Sequence, residues 1–580
     1  MKNKIIPIKD KKNKKSTPAA KKRRLLPDIW LFLSVIVIAL FSLYALFYLL
    51  IPQSPFIWDE AHHAEFAGYV YRSLQKDGLG EALKVANRLI LWPPLHSVIC
   101  ALLFFPLGPT IVTARLVSLL FFIFSALLIF AVCRLLYPGQ GNREGLLAVI
   151  LFSTSPIVLF FASACMLETM GIFMGLAILW CYFQGLDTGR KRYFILLGLS
   201  LGILYLVKYN YALTLLFPLA IDGAIQLVVR RKKARIKFLL NAAIALIAMG
   251  VLIGIWFAAG HAREKYDIIS YYLNGGTGYK SAQAVFFGDP LFYLRSLATM
   301  YTFSIWIFLL YLGGIVTALW RIKDAKTRVL LLVILVMLFL CTLGSNKQDR
   351  YLILAFPPIT ILTAAFVFKA YNRISSRWGR GIFAGLLIAV ILIDALDFPG
   401  YNRRLANYTV ASVRYPAARE LTYSVLGMYC LYPSFLKQPE SKLNPKADFT
   451  AIEHSAQDIW DFIYSTTKGG GALCCLSTFQ EFSPHLRAWY SFVDDYPVFS
   501  RWEPRCPYFA SVTIGPMSPY YNQEYRRSFE KNNRHWINFL EQLAARGGIR
   551  LIQSKYYQDL FVTVKVYTKT PQFNQIMRSS

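Results

Sequence analysis

From Trp30 to Leu50 the chain carries no charged residue, and the same is true from Phe238 to Ala259 and from Val329 to Leu343. A fourth run, Ile111 to Val132, is interrupted only by Arg115. About 20 apolar residues suffice for a helix to cross a hydrocarbon core of about 30 Å. Lipid offers no partner for a backbone N–H or C=O, so such runs are confined to helices that bond internally. Composition agrees, since only 16% of the residues are charged against about 25% in soluble domains. The fold class that follows is mainly α: a polytopic transmembrane helical bundle.

A formal net charge of +31 would suit a nucleic-acid ligand, but no nucleic-acid-binding motif accompanies it. The positive residues instead fall in short clusters between the apolar runs, as expected when Lys and Arg are held on the cytoplasmic side. Eleven Lys and Arg against one acid, Asp10, precede Leu25. Residues 1–28 therefore read as a basic cytoplasmic tail, and the long basic region without a small-residue cleavage site makes the first apolar run a retained span.

The remaining clusters set the topology. They are Arg134 with Arg143, Arg190 to Arg192, Arg230 to Lys237, Arg321 to Arg328, and Lys369 to Arg380. If each is cytoplasmic, two spans separate each successive pair. Length supports this: the 39 residues from Gly145 to Phe183 would form a helix of about 58 Å, too long for one crossing. A turn near Ala164 to Thr169 resolves it, and Lys208 to Asn210 marks the turn of the next hairpin. The apolar but short Pro93 to Pro106 reads as an interfacial piece, because counting it as a span would reverse every later cluster. The expectation is about 11 spans within residues 29–398, with a first outer loop at 52–109.

Residues 399–580 change character. Apolar runs shorten, and strand-like pieces at Ala472–Leu476, Phe509–Ile514, Ile549–Ile552 and Phe561–Tyr567 alternate with polar helical stretches, which reads as an extracytoplasmic α/β domain. Cys100, Cys133, Cys165, Cys181 and Cys341 lie in or beside apolar runs and read as packing residues. Cys474, Cys475 and Cys506 show no zinc-site spacing.

With the cytoplasmic clusters removed, a second set of charges remains. Asp59, Glu60, His62, His63 and Glu65 follow the first span; Glu168 sits in the second outer turn, Lys208 in the third, and Lys347 with Arg350 in the fifth. Ionisable residues at the membrane ends of apolar helices are costly and are usually functional. Bland roles exist for each: Asp59 as a helix cap, Glu168 as a dipole partner, Lys208 and Arg350 as snorkelling cations. Adjacent His62 and His63 diverge around a helix, which argues against a metal there. Together, however, two acids and two or three bases on one face suit a phosphate leaving group held by cations. A carboxylate beside it would act as general base.

At these residues the chain resembles the GT-C superfamily, in the branch of protein O-mannosyltransferases and lipid A aminoarabinose transferases (glycosyltransferase family 39-like). The tokens are Trp58-Asp59-Glu60 with Ala64-Glu65, Trp92-Pro93-Pro94-Leu95, Ala114-Arg115-Leu116, Glu168, Lys208, and Lys347 with Arg350-Tyr351-Leu352 before Pro357-Pro358. The resemblance covers roughly residues 29–400. It implies inverting transfer from a polyprenyl-phosphate sugar to a lipid, glycan or protein acceptor, on the outer face of the plasma (inner) membrane. Asp59 would be the base, with Glu60 and Glu168 as catalytic partners. Lys208, Arg350 and Lys347 would meet the donor phosphate, and His62, His63, Glu65 and Tyr351 would contact acceptor or donor. No metal ligand and no cofactor are assigned, and a divalent metal is compatible with the chemistry. The competing reading is a transporter or lipid-sugar flippase, which would place its charges at mid-membrane on broken helices of repeated halves.

Overall fold

A computed structural model describes residues 28–50, 59–89, 92–273, 290–302, 304–343 and 349–396. Of the C-terminal part it describes 473–475, 498–499, 507–514, 523–557 and 562–579, with short pieces between 459 and 467. The basic tail before Asp28, Trp58, Lys347, Cys506 and the expected boundary near residue 399 lie outside the described residues.

The membrane part is helical throughout. Helix α1 (Ile29–Tyr44) runs on into a π-helical turn, Ala45–Leu50. Next come α2 (Asp59–Lys76), α3 (Leu79–Asn87) and α4 (Leu95–Leu107). Then follow α5 (Ile111–Leu136), α6 (Gly141–Ser153), α7 (Pro156–Ala162), α8 (Glu168–Thr188), α9 (Lys191–Val207) and α10 (Tyr209–Val229). After these stand α11 (Lys232–Ala258), α12 (Ala262–Leu273), α13 (Phe292–Thr299), α14 (Ile305–Leu319) and α15 (Ala325–Leu343). A 3-10 turn, Asp349–Ala355, opens α16 (Phe356–Arg373), and α17 is Arg377–Leu396.

Among the described residues, seven helices are long and apolar enough to cross a membrane, or eight if the bent pair α6–α7 counts as one span. That pair turns by 73° where Pro156, at the first position of α7, cannot continue the hydrogen-bond ladder of α6. The other three expected spans coincide with α9, α14 and α17; α9 and α14 have only 17 and 15 residues. The chain is thus a multi-pass membrane protein, while a count of 11 spans is not established. Helix α11 shows how lipid is met. Its buried residues are Phe238, Asn241, Ala245, Met249 and Trp256, a single stripe at helical spacing. Leu239, Leu246, Val251 and Ile255 are exposed, as a surface facing hydrocarbon requires.

The bundle has two chemically different ends. At one end Asp28 caps α1 through Trp30 N–H, accepts from Asn142 at 2.7 Å and lies 3.9 Å from Arg134. Lys326 bonds Asp187 and the Leu135 carbonyl, and Arg328 pairs with the buried Asp222, which also accepts from Tyr182. These contacts bring the clusters at Arg134 and at Arg321 to Arg328 together at one end, with Asp187, three residues before the cluster at Arg190, beside them. Helix α5 leads from Arg134 to the other end, and its 26 residues span about 39 Å. Asp59, Glu168, Lys208 and Arg350 all stand at helix starts or breaks at that far end.

In the C-terminal part, β1 (Leu473–Cys475), β2 (Val498–Phe499), β3 (Tyr508–Ile514), β4 (Ile549–Tyr557) and β5 (Val562–Lys569) form one sheet in the order β2-β1-β3-β5-β4. Four of them coincide with the strand-like pieces in the sequence. The first three pair in parallel, and the β3–β5 and β5–β4 ladders are antiparallel. Helix α18 (Gln523–Ala545) connects β3 to β4 and buries Leu540 and Leu543 against Phe509, Ile549 and Phe573. That last residue opens the closing helix α19, Phe573–Ser579. This part is a mixed α/β unit.

Candidate active site at one end of the bundle

Each charged residue is placed by a break in helical structure. Asp59 is the first residue of α2 and Glu168 the first of α8, where unsatisfied N–H groups and the positive helix end favour a carboxylate. Lys208 is an extended residue (φ −158°, ψ 101°) between α9 and α10. Arg350 lies in the 3-10 turn that leads into α16. Close packing holds these starts together: a Cβ added at Gly171 of α8 would lie 2.7 Å from the Tyr211 ring of α10.

The four side chains meet. Arg350 Nη2 lies 2.9 Å from Asp59 Oδ2, and its Nε is 3.9 Å from Glu168 Oε1. Lys208 Nζ donates to the same Glu168 oxygen at 2.9 Å. Tyr211 joins them: its hydroxyl is 3.3 Å from Lys208 Nζ and donates to the Arg350 carbonyl at 3.3 Å. Lys208 is also ringed by aromatic faces, with centroids at 4.3 Å (Tyr211), 5.5 Å (Trp92) and 5.9 Å (Tyr351), which helps a buried ammonium. The side chains of Glu168 and Lys208 are 0% and 2% exposed, whereas that of Asp59 is 25% exposed. The cluster is therefore sealed at Glu168 and Lys208 and open at the Asp59 carboxylate.

Formal charge in this quartet cancels, with two carboxylates facing one guanidinium and one ammonium. Burial opposes ionisation of Asp59, but the Arg350 guanidinium outweighs it, with help from Lys208, and holds the carboxyl below the usual carboxylate range. Burial and the neighbouring His96 push His63 well below the usual imidazole range, so it is a neutral group at physiological pH.

The other residues singled out in the sequence have separate surroundings. Glu60, about 100° on from Asp59 around α2, receives a bidentate bond from Arg115, at 2.6 and 3.0 Å. It also accepts from the Cys165 N–H at 2.8 Å. Its carboxylate is thus committed inside the protein and ties α2 to α5 and to the segment before α8. His62 packs on Phe66 and His63 on His96, while Glu65 accepts from Tyr69. Tyr351 neighbours Arg350 at 5.8 Å.

Arg115, Trp92 and Tyr211 were not assigned roles from the sequence. A charged residue one turn into an apolar helix, as Arg115 is, demands a buried partner. Tyr211 follows Lys208 by three residues, on the same face of the chain. Asp349, beside Arg350, is fully buried, and its carbonyl accepts from Tyr301 at 2.9 Å.

Residues 92–256 match the family model described as dolichyl-phosphate-mannose-protein mannosyltransferase. No curated protein sequence matches the chain significantly. Among solved structures, apo ArnT from Cupriavidus metallidurans aligns at 15% identity and TM-score 0.57, over 93% of this chain and 97% of that one. The same protein bound to undecaprenyl phosphate aligns at 14% identity and TM-score 0.56, over 93% and 98%. The apo oligosaccharyltransferase of Archaeoglobus fulgidus aligns at 12% identity and TM-score 0.50, over 87% and 68%. The chain has the fold of the GT-C superfamily of membrane glycosyltransferases.

Proposed function

We propose that the protein is a glycosyltransferase that moves a sugar from a polyprenyl-phosphate donor to a hydroxyl of an envelope acceptor, with inversion, on the non-cytoplasmic face of the plasma membrane. The observation that carries this reading is the single cluster of Asp59, Arg350, Glu168 and Lys208 at the bundle end opposite the basic clusters. The similarity to a structure that holds undecaprenyl phosphate supports the class of donor.

In the reaction, the acceptor oxygen attacks the anomeric carbon as the bond from that carbon to the phosphate oxygen breaks. The leaving phosphate keeps the electron pair, and the acceptor proton passes to Asp59. Arg350 and Lys208 hold the phosphate, with Lys347, three residues before Arg350 in the sequence, as a further proposed cation. Charge stays constant: the phosphate gains one negative charge as Asp59 loses one. Fixed cations aimed at a developing oxyanion are the largest single source of such catalysis, and a positioned base contributes about 10²- to 10⁴-fold.

The resting pair with Arg350 makes Asp59 a weak base. Donor binding supplies the remedy: a phosphate competes for the guanidinium and frees the carboxylate. Glu168 then keeps Lys208 charged and oriented, and Glu60, committed to Arg115, positions α2. Tyr351, against Arg350 and Lys208, is placed to meet acceptor or donor, while His62, His63 and Glu65 are engaged by Phe66, His96 and Tyr69.

A mid-membrane transport site fits less well, because all four groups stand at helix starts or breaks at one end of the bundle. The testing experiment is transfer in proteoliposomes with a radiolabelled polyprenyl-phosphate sugar and membrane acceptors. Asp59→Asn should insert normally and bind donor, yet lose roughly 10²-fold or more of the transfer rate. Transfer at the wild-type rate would refute the role of Asp59. Donor crossing the bilayer without transfer would favour the flippase.

A further inference from the structure

Behind the pocket, His96, Cys100 and Cys165 bring one imidazole nitrogen and two sulfurs within 4.8 Å of one another, and all three residues are fully buried. His96 and Cys100 are one turn apart on α4, so both donors face the same way. Cys165 comes from the segment between α7 and α8, three residues before Glu168. Small residues of α2, Ala61 and Ala64, pack around the sulfurs and leave room for them.

We propose that this cluster is a structural zinc site. The geometry is already close to coordination. His96 Nδ1 and Cys100 Sγ are 3.7 Å apart, and tetrahedral Zn–N and Zn–S bonds place such a pair about 3.6 Å apart. Two thiolates with a neutral imidazole cancel the charge of Zn²⁺, which suits a fully buried place. Thiolate and imidazole donors also suit zinc better than they suit magnesium or calcium. Nε2 of His96 is buried without a hydrogen-bond partner, so contacts within the cluster are what orient the ring. The adjacent imidazole, His63, has its centroid 5.5 Å from that of His96 and is the neighbouring candidate for a fourth donor.

Such a site would have a positioning effect. Cys165 N–H holds Glu60, Ser118 holds the Met166 carbonyl at 3.1 Å, and Glu168 follows directly. A metal bound to Cys165 would therefore fix the start of α8 against α4. The inference stands on the cluster alone and is independent of the transferase reading.

The test uses the full chain, purified in detergent without chelators. Elemental mass spectrometry should find stoichiometric zinc in the wild type and at least a ten-fold lower content in Cys100→Ser and Cys165→Ser. Zinc that persists in the double variant is adventitious and overturns the proposal. So does metal-free protein in which Cys100 and Cys165 form a disulfide or react as free thiols. A second measurement needs no variant: exchange of the wild type with Co²⁺ should produce a thiolate-to-cobalt charge-transfer band in the near ultraviolet. Its absence under conditions of full cobalt loading would equally count against the site.

Discussion

Arg350 holds Asp59 in a 2.9 Å ion pair while its Nε stays 3.9 Å from Glu168, so one guanidinium serves the open carboxylate and the sealed one together. This sharing makes Arg350 the hinge of the proposed chemistry. A phosphate entering the pocket competes with Asp59 for the same donor groups.

Removing Arg350 should act on the donor. Arg350→Ala leaves the open carboxylate of Asp59 and the sealed one of Glu168 facing Lys208 alone and deletes a phosphate ligand. Loss of one partner of a buried charge pair costs about 2–5 kcal/mol, so donor affinity should fall roughly 30-fold or more. Acceptor KM should change far less. Titration of each substrate separately checks this, and an equal loss for both would contradict it.

The pair between Glu60 and Arg115 should act on stability instead. Both side chains are 3% exposed, and leaving one of them buried without its partner costs about 3–5 kcal/mol. Glu60→Ala and Arg115→Ala should each lower the detergent melting temperature markedly. The double change Glu60→Gln with Arg115→Met should lower it less than either single change. Thermal unfolding followed by native fluorescence reads this out. A catalytic Glu60 would instead give an inactive protein of normal stability.

The pH response follows from Asp59. Its folded-state pKa is depressed by Arg350, so its contribution to stability is present above the unfolded carboxylate value of about 3.9. That contribution is lost as pH falls through the lower folded value. In the free enzyme the acid limb of kcat/KM should therefore lie below the usual carboxylate range. Arg350→Gln removes the depressing charge and should move that limb to higher pH. A limb that stays in place in the variant would show that another group sets it.

How much of this the sequence disclosed depends on the kind of interaction. Helix positions in the membrane part followed from apolar runs and cationic clusters, because lipid thickness and the positive-inside bias are written residue by residue. Asp59, Glu168, Lys208 and Arg350 stood out because each is charged at a span end yet outside a cationic cluster. Their pairing was not legible, since it depends on which helix starts meet in space. The same holds for Glu60 with Arg115, 55 positions apart in the chain, which left Glu60 looking like a catalytic partner of its neighbour. Cys100 and Cys165 looked like packing residues because their spacing matches no local ligand motif. Only the turn between α7 and α8 brings them together. In the C-terminal part, strand β2 escaped notice because two residues carry no periodicity.

A structure of the protein with a polyprenyl phosphate bound tests the central claim most directly. The phosphate should lie within hydrogen-bond distance of both Arg350 and Lys208, with the contact between Arg350 and Asp59 opened and the Asp59 carboxylate facing the acceptor side. A phosphate bound elsewhere, with the Asp59–Arg350 pair intact, would contradict the account.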